Sequence, residues 1–105
     1  MLIYRVENCR VPFTQTRVVQ AVEQSAIEFG LQKGLEQHLA ARSHWHLHTL
    51  DESSTLEVTF DVPRKELLVI VHDNRMGAGG WAKKQAPRFA RTLANQFEGK
   101  VKLAA

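Results

Sequence analysis

Three histidines alternate with apolar residues in HWHLH (His44, His46, His48), Glu57 lies in TLEVTFDV, and His72 closes ELLVIVH. Imidazole and carboxylate are together the ligand set of many divalent-metal sites, and they also serve general acid–base chemistry. Residues two apart on a strand share a face, so the three histidines point one way while Trp45 and Leu47 point the other. Alternation alone also puts polar side chains outward. The pattern therefore names a face before it names a chemistry.

Cross-strand pairing decides which of these groups meet. Setting Leu47 against Val58 places Trp45 against Phe60; setting Val62 against Leu67 places Phe60 against Val69 and Val58 against Val71. Both pairings keep one face wholly apolar. They put His48 opposite Glu57, His46 opposite Thr59 and His44 opposite Asp61, with Glu57 also beside His72. The expected constellation is His48, Glu57 and His72, able to hold a divalent metal or to run histidine acid–base catalysis, with His44 and His46 alongside. Leu68 and Ile70 fall on the same outward face, and exposed aliphatics beside polar groups often mark a homodimer contact.

Two other segments carry polar chemistry. DNRMGAGGW (73–81) follows the third strand directly, and glycine-bearing loops can turn backbone N–H groups toward an anion, here with Asn74 and Arg75 as side-chain donors. Lys83, Lys84, Arg88 and Arg91 make the next segment basic, as a phosphate-contacting helix would be. Cys9 is the one cysteine, which rules out an internal disulfide and fits a reducing compartment. There is no Walker-type loop, CxxC or HExxH.

The elements that must position these residues follow from periodicity. LIYRV (2–6) reads as a strand. Thr14 or Thr16 caps a helix to about Phe29, with Val18, Val22, Ala26 and Phe29 on one stripe and Gly30 at its end. Leu31, Leu35 and Leu39 recur every fourth residue and predict a second helical segment over 34–41. From Ser43 the period becomes two, giving an antiparallel meander over about 43–73 with short polar turns at DESS and PRKE. Because Pro87 belongs in a first turn, the last helix is expected to start near Ala86, with Phe89, Leu93 and Phe97 on its apolar stripe. Gly99 ends it, and KVKL (100–103) adds an edge strand. The fold class is α+β: the meander with an added N-terminal strand, its apolar face covered by two or three helices.

A chain of 105 residues with 44% hydrophobic and 24% charged residues is expected to form one domain, 1–105, rather than a disordered segment. No apolar run approaches the ~20 residues of a membrane span, and the N-terminus lacks a signal-peptide layout. A cytoplasmic location follows as the expectation. The formal charge of +3 would reach +8 with all five histidines protonated, 3 + 5 = 8. That balance is compatible with an anionic partner without specifying one.

Two families enter through particular residues. GAGGWAKKQAPRFARTLANQF, in a helix–strand–strand–strand–helix order over 14–98, resembles the double-stranded-RNA-binding domain, and that resemblance implies phosphate contacts from Lys83 and Lys84. Pro87, the acidic turn at Asp51 and Glu52, and a missing Gly-Pro-x-His element depart from it. ELLVIVHDNRMGAGG is similar to the aspartate-glycine box of histidine-kinase-type ATPases, implying a nucleotide-base contact at Asp73 and a second box glycine at Gly77. Arg75 there replaces a glycine, and Gln24 replaces the metal-binding asparagine. The reading that the residues carry furthest is a self-associating, non-enzymatic binding or accessory domain. It would use the open sheet face and the 73–81 loop for an anionic ligand or partner. An RNA-binding module and a metal-dependent or histidine acid–base enzyme are the alternatives.

Overall fold

The computed structural model describes residues 2–49, 55–71 and 80–105. Their order is β1 (Leu2–Glu7), α1 (Gln15–Glu28), β2 (Gln32–His38), β3 (Arg42–His48), β4 (Thr55–Asp61), β5 (Glu66–Val71), α2 (Gly80–Asn95) and β6 (Lys100–Leu103). All six strands form one antiparallel sheet in the order β2-β3-β4-β5-β1-β6. The fold is α+β, with both helices packed against the sheet and the N-terminal strand inserted between β5 and β6. No helix among the described residues is long and apolar enough to cross a membrane.

Alternation builds the core. Trp45 and Leu47 from β3, Leu56, Val58 and Phe60 from β4, Leu67, Val69 and Val71 from β5, and Val6 from β1 are buried on the face beneath the helices. Val18, Val22 and Ala26 of α1 and Ala82, Ala86, Phe89, Ala90 and Leu93 of α2 close over them. Thr14 caps α1, its hydroxyl accepting the Arg17 N–H. Gly30, at φ 65°, ends α1 in the left-handed conformation a helix terminus favours.

Three expectations about the elements are corrected. Residues 34–41 do not form a helix. They belong to β2 and its turn, and Leu35 and Leu39 are exposed rather than forming a buried stripe. Gly34 weakens a helix there, and pairing with the outer edge of β3 satisfies backbone groups that a helix would leave behind. A bulge between Lys33 and Glu36 takes up the extra residue. Secondly, α2 begins at Gly80, not near Ala86, so Pro87 lies inside it. Four helix-favouring alanines and the buried Phe89 and Leu93 outweigh the backbone bond Pro87 forgoes. Because four strands, not three, separate the helices, the chain also departs from the double-stranded-RNA-binding order.

The third correction is register. Both hairpins pair two residues away from the expectation: Trp45 faces Val58, Leu47 faces Leu56, Phe60 faces Leu67 and Val58 faces Val69. For β4 and β5 the cause is visible at the second turn. The Asp61 carboxylate accepts the Arg64 N–H, Lys65 adopts φ 54°, and its N–H bonds the Val62 carbonyl. That four-residue turn removes Val62 from the ladder, leaving Asp61 paired with Glu66.

The end of α2 divides two glycine roles between two residues. The Glu98 N–H bonds the Asn95 carbonyl and the Gly99 N–H bonds that of Ala94, a Schellman arrangement with Glu98 itself at φ 51°. Gly99 is needed for closeness instead, since a Cβ there would stand 2.5 Å from Cys9 Sγ and 2.9 Å from the Glu7 carbonyl oxygen. Glu98→Gly is expected to stabilise the fold by about 1 kcal/mol, and Gly99→Ala to destabilise it by about 1–3 kcal/mol. Urea denaturation of the two variants checks both signs.

Candidate functional site

The corrected register rebuilds the histidine face around different neighbours. On the face opposite the helices, one cross-strand row runs His46, Glu57, Ile70, Ile3, and the next runs His44, Thr59, Leu68, Arg5. Glu57 is thus flanked by His46 and Ile70, not by His48 and His72. Asp61 lies opposite Arg42 rather than His44.

Strand geometry then lets long side chains converge. The His44 and His46 Nε2 atoms are 2.9 Å apart, with the rings inclined at 61°. His46 Nε2 stands 3.6 Å from Glu57 Oε1, and His44 Nδ1 stands 3.7 Å from Glu57 Oε2. Thr59 completes the set: its hydroxyl donates to Glu57 Oε2 at 3.1 Å and lies 3.2 Å from His44 Nδ1. Among the described residues no helix covers this face, yet the Glu57 side chain is only 15% exposed, because its neighbours wall it in.

The bonds assign the proton positions for neutral rings. A hydroxyl has one hydrogen, and Thr59 spends it on the Glu57 carboxylate. His44 Nδ1–H must then donate to Thr59 Oγ1, leaving the His44 Nε2 lone pair to accept from His46 Nε2–H.

Among the described residues, His44, His46 and Glu57 form the group able to hold a metal ion, each offering one ligand atom with all three within 4.8 Å of one another. The expected set of His48, Glu57 and His72 is not what the register assembles. His48 stands opposite Thr55, with Nδ1 bonded to the Thr49 carbonyl at 2.8 Å and its ring packed beside Gly34. His72, Asn74, Arg75, Asp73 and Gly77 lie outside the described residues, as do the acidic turn at 51–54 and most of the 73–81 loop.

The fifth histidine was hidden by the helical reading of 34–41. His38 contacts Glu36 at 2.6 Å and Ser43 at 2.9 Å, with its ring edge-on to Trp45. Its hydrogen bond, followed by that of Lys33, holds the Glu36 carboxyl below the usual range. Lys33 also reaches Glu23 of α1 at 3.4 Å, so this cluster fastens the outer strand to the helix. Thr59 was likewise not foreseen as a site residue; its position between Glu57 and Asp61 on the outward face was the available signal.

Lys83, Lys84, Arg88 and Arg91 are all exposed on α2. Arg88 and Arg91 border a groove of about 590 Å³ between the helices, beside Trp81 and Phe29. Trp81 packs partly against the core there. Comparison with known proteins finds no matching protein-family model, no matching curated protein and no matching solved structure.

The Thr59 hydroxyl ties the site together, and Thr59→Val removes it while keeping a β-branched shape. We expect a loss of about 1 kcal/mol in stability, together with a change in the His44 tautomer signals in imidazole ¹⁵N spectra. Unchanged His44 signals would refute the proton assignment.

Proposed function

We propose that this chain is a binding domain that works through the open face of its sheet, and that the occupant of the aliphatic part of that face is a second copy of the chain. The carrying observation is the one-sided packing. Both helices lie on one side, and the other presents Ile3, Leu68 and Ile70 as neighbours across β1 and β5, each incompletely buried.

Charge favours self-pairing. Arg5, Lys100 and Lys102 make the β1–β6 side of the open face mainly cationic, whereas Glu57, Asp61 and Glu66 make the β4–β5 side mainly anionic. A two-fold axis along the strands between β5 and β1 sets β4 against β6 and β5 against β1, so that each side meets its opposite, as an isologous interface requires. The four strands β4, β5, β1 and β6, about 4.8 Å apart and about 20 Å long, give a flat footprint of about 400 Å² per copy. Two such faces bury about 800 Å², the size of a weak, reversible pair.

Sedimentation velocity at tens of micromolar, about 50 μM, is expected to show a reversible dimer. Leu68→Glu, beside Arg5, and Ile70→Lys, beside Glu57, suit their neighbours within the chain and are expected to give folded monomers. A wild-type protein that stays monomeric up to about 100 μM, weaker than about 5 kcal/mol of association, would sink the reading.

A second reading is favoured by the four exposed cations of α2, which line up Lys84, Arg88 and Arg91 at helical spacing. A helix so charged suits phosphate contact with RNA. If it binds RNA, retention on a double-stranded RNA column falls steeply with salt and is weakened in Lys83→Ala/Lys84→Ala; salt-insensitive flow-through removes this reading.

A further inference from the structure

We infer that His44, His46 and Glu57 form a divalent transition-metal site on the open sheet face, with Thr59 as the residue that orients it. The inference concerns the polar half of the same face and does not require the chain to pair.

Bond lengths give the first argument. Metal–imidazole bonds are about 2.0–2.1 Å, so two nitrogens 2.9 Å apart subtend about 90° at a shared ion. The 3.6 Å between His46 Nε2 and Glu57 Oε1 corresponds to about 120° with bonds of the same length. Both angles belong to ordinary coordination geometries. A tetrahedral angle between the histidines would need only about 0.4 Å of further opening, within reach of a χ adjustment on half-buried rings. The three residues sit on two paired strands inside a six-stranded sheet, which holds their backbones in place.

The surrounding bonds supply the second argument. A ligating histidine ordinarily donates its other ring N–H to a neighbouring acceptor, which fixes the tautomer and aims the free lone pair. Thr59 Oγ1 does this for His44 Nδ1, and in turn donates to the Glu57 oxygen that is not nearest His46. Glu57 Oε1 is the oxygen nearer His46, at 3.6 Å from its Nε2. The arrangement orients two of the three ligands before any ion arrives.

Ligand chemistry selects the ion. Two imidazole nitrogens and one carboxylate oxygen suit Zn²⁺, Co²⁺, Ni²⁺ or Cu²⁺, whereas Mg²⁺ and Ca²⁺ take oxygen ligands. Three protein ligands leave at least one position for water or an anionic ligand. Binding through Nε2 requires the His46 proton to move from Nε2 to Nδ1, a change of tautomer that keeps the ring neutral.

The test is isothermal titration of tag-free protein with ZnCl₂ and CoCl₂, with MgCl₂ as comparison, alongside the Co²⁺ visible spectrum. One saturable site per chain is expected for zinc and cobalt, and none for magnesium. His44→Ala, His46→Ala and Glu57→Gln should each weaken zinc at least 10-fold, and Thr59→Val about 10-fold with the fold retained by circular dichroism. His48→Ala should leave affinity unchanged. Absence of a saturable site, or affinity that survives His44→Ala/His46→Ala, overturns the inference. Loss on His48→Ala alone would also overturn it by moving the site. Metal binding by the Leu68→Glu monomer would separate this inference from the pairing reading, since either can fail without the other.

Discussion

Burying every second side chain of β3, β4 and β5 beneath two helices is the constraint on which the rest depends. Trp45, Leu47, Leu56, Val58, Phe60, Leu67, Val69 and Val71 are at most 1% exposed. At about 25 cal/mol per Å² of apolar surface, turning such a row outward would forfeit far more than a small domain's net stability. The intervening residues are therefore committed to the other face. His44, His46, Glu57 and Thr59 meet because the core leaves them nowhere else to point. The site is a by-product of core parity, sharpened by local chemistry.

Parity alone does not choose partners. Slipping a strand by one residue reverses its faces, but slipping it by two restores them. A row of Leu, Val and Phe accepts either position with little change in composition. This is why the two-faced meander, its core residues and the outward histidines were legible in the sequence, while the contacts of Glu57 were not. For β4 and β5 the choice was made at the turn, where Asp61 accepts the Arg64 N–H and Lys65 takes a left-handed conformation. Lysine gives no hint of that conformation, which a glycine or asparagine would have signalled. The same limit explains β2: leucines at every fourth residue fit a helix stripe, but here Leu35 and Leu39 face solvent on a bulged strand. Its strand character comes from an edge of β3 that only the assembled sheet presents.

The two edges of the sheet are closed to further growth by different means. β2 carries a bulge and the Lys33–Glu36–His38 group, pinned to Glu23 of α1. β6 is four residues long and bears Lys100 and Lys102. Short, charged or bulged edges resist strand addition. With edges blunted and one face under helices, the open face is the remaining broad surface of the sheet. Its aliphatic centre and its divided charge are the features that distinguish it from an ordinary solvated face.

The polar network on that face has an internal logic that bears on what it can bind. Glu57 is largely walled in by its neighbours, so its carboxylate needs partners, and Thr59 and the two histidines supply them within the protein. Without an ion the cluster is held by a chain of single hydrogen bonds, Nε2–H of His46 to His44, Nδ1–H of His44 to Thr59, and Thr59 to Glu57. An ion entering at the Nε2 pair replaces only the first of these bonds and leaves the other two in place. The protein therefore loses one neutral hydrogen bond, worth about 1 kcal/mol net, against the formation of three coordinate bonds. A set of outward polar residues placed by parity alone would have no reason to be wired so that one bond can be exchanged while the rest hold the ligands in position.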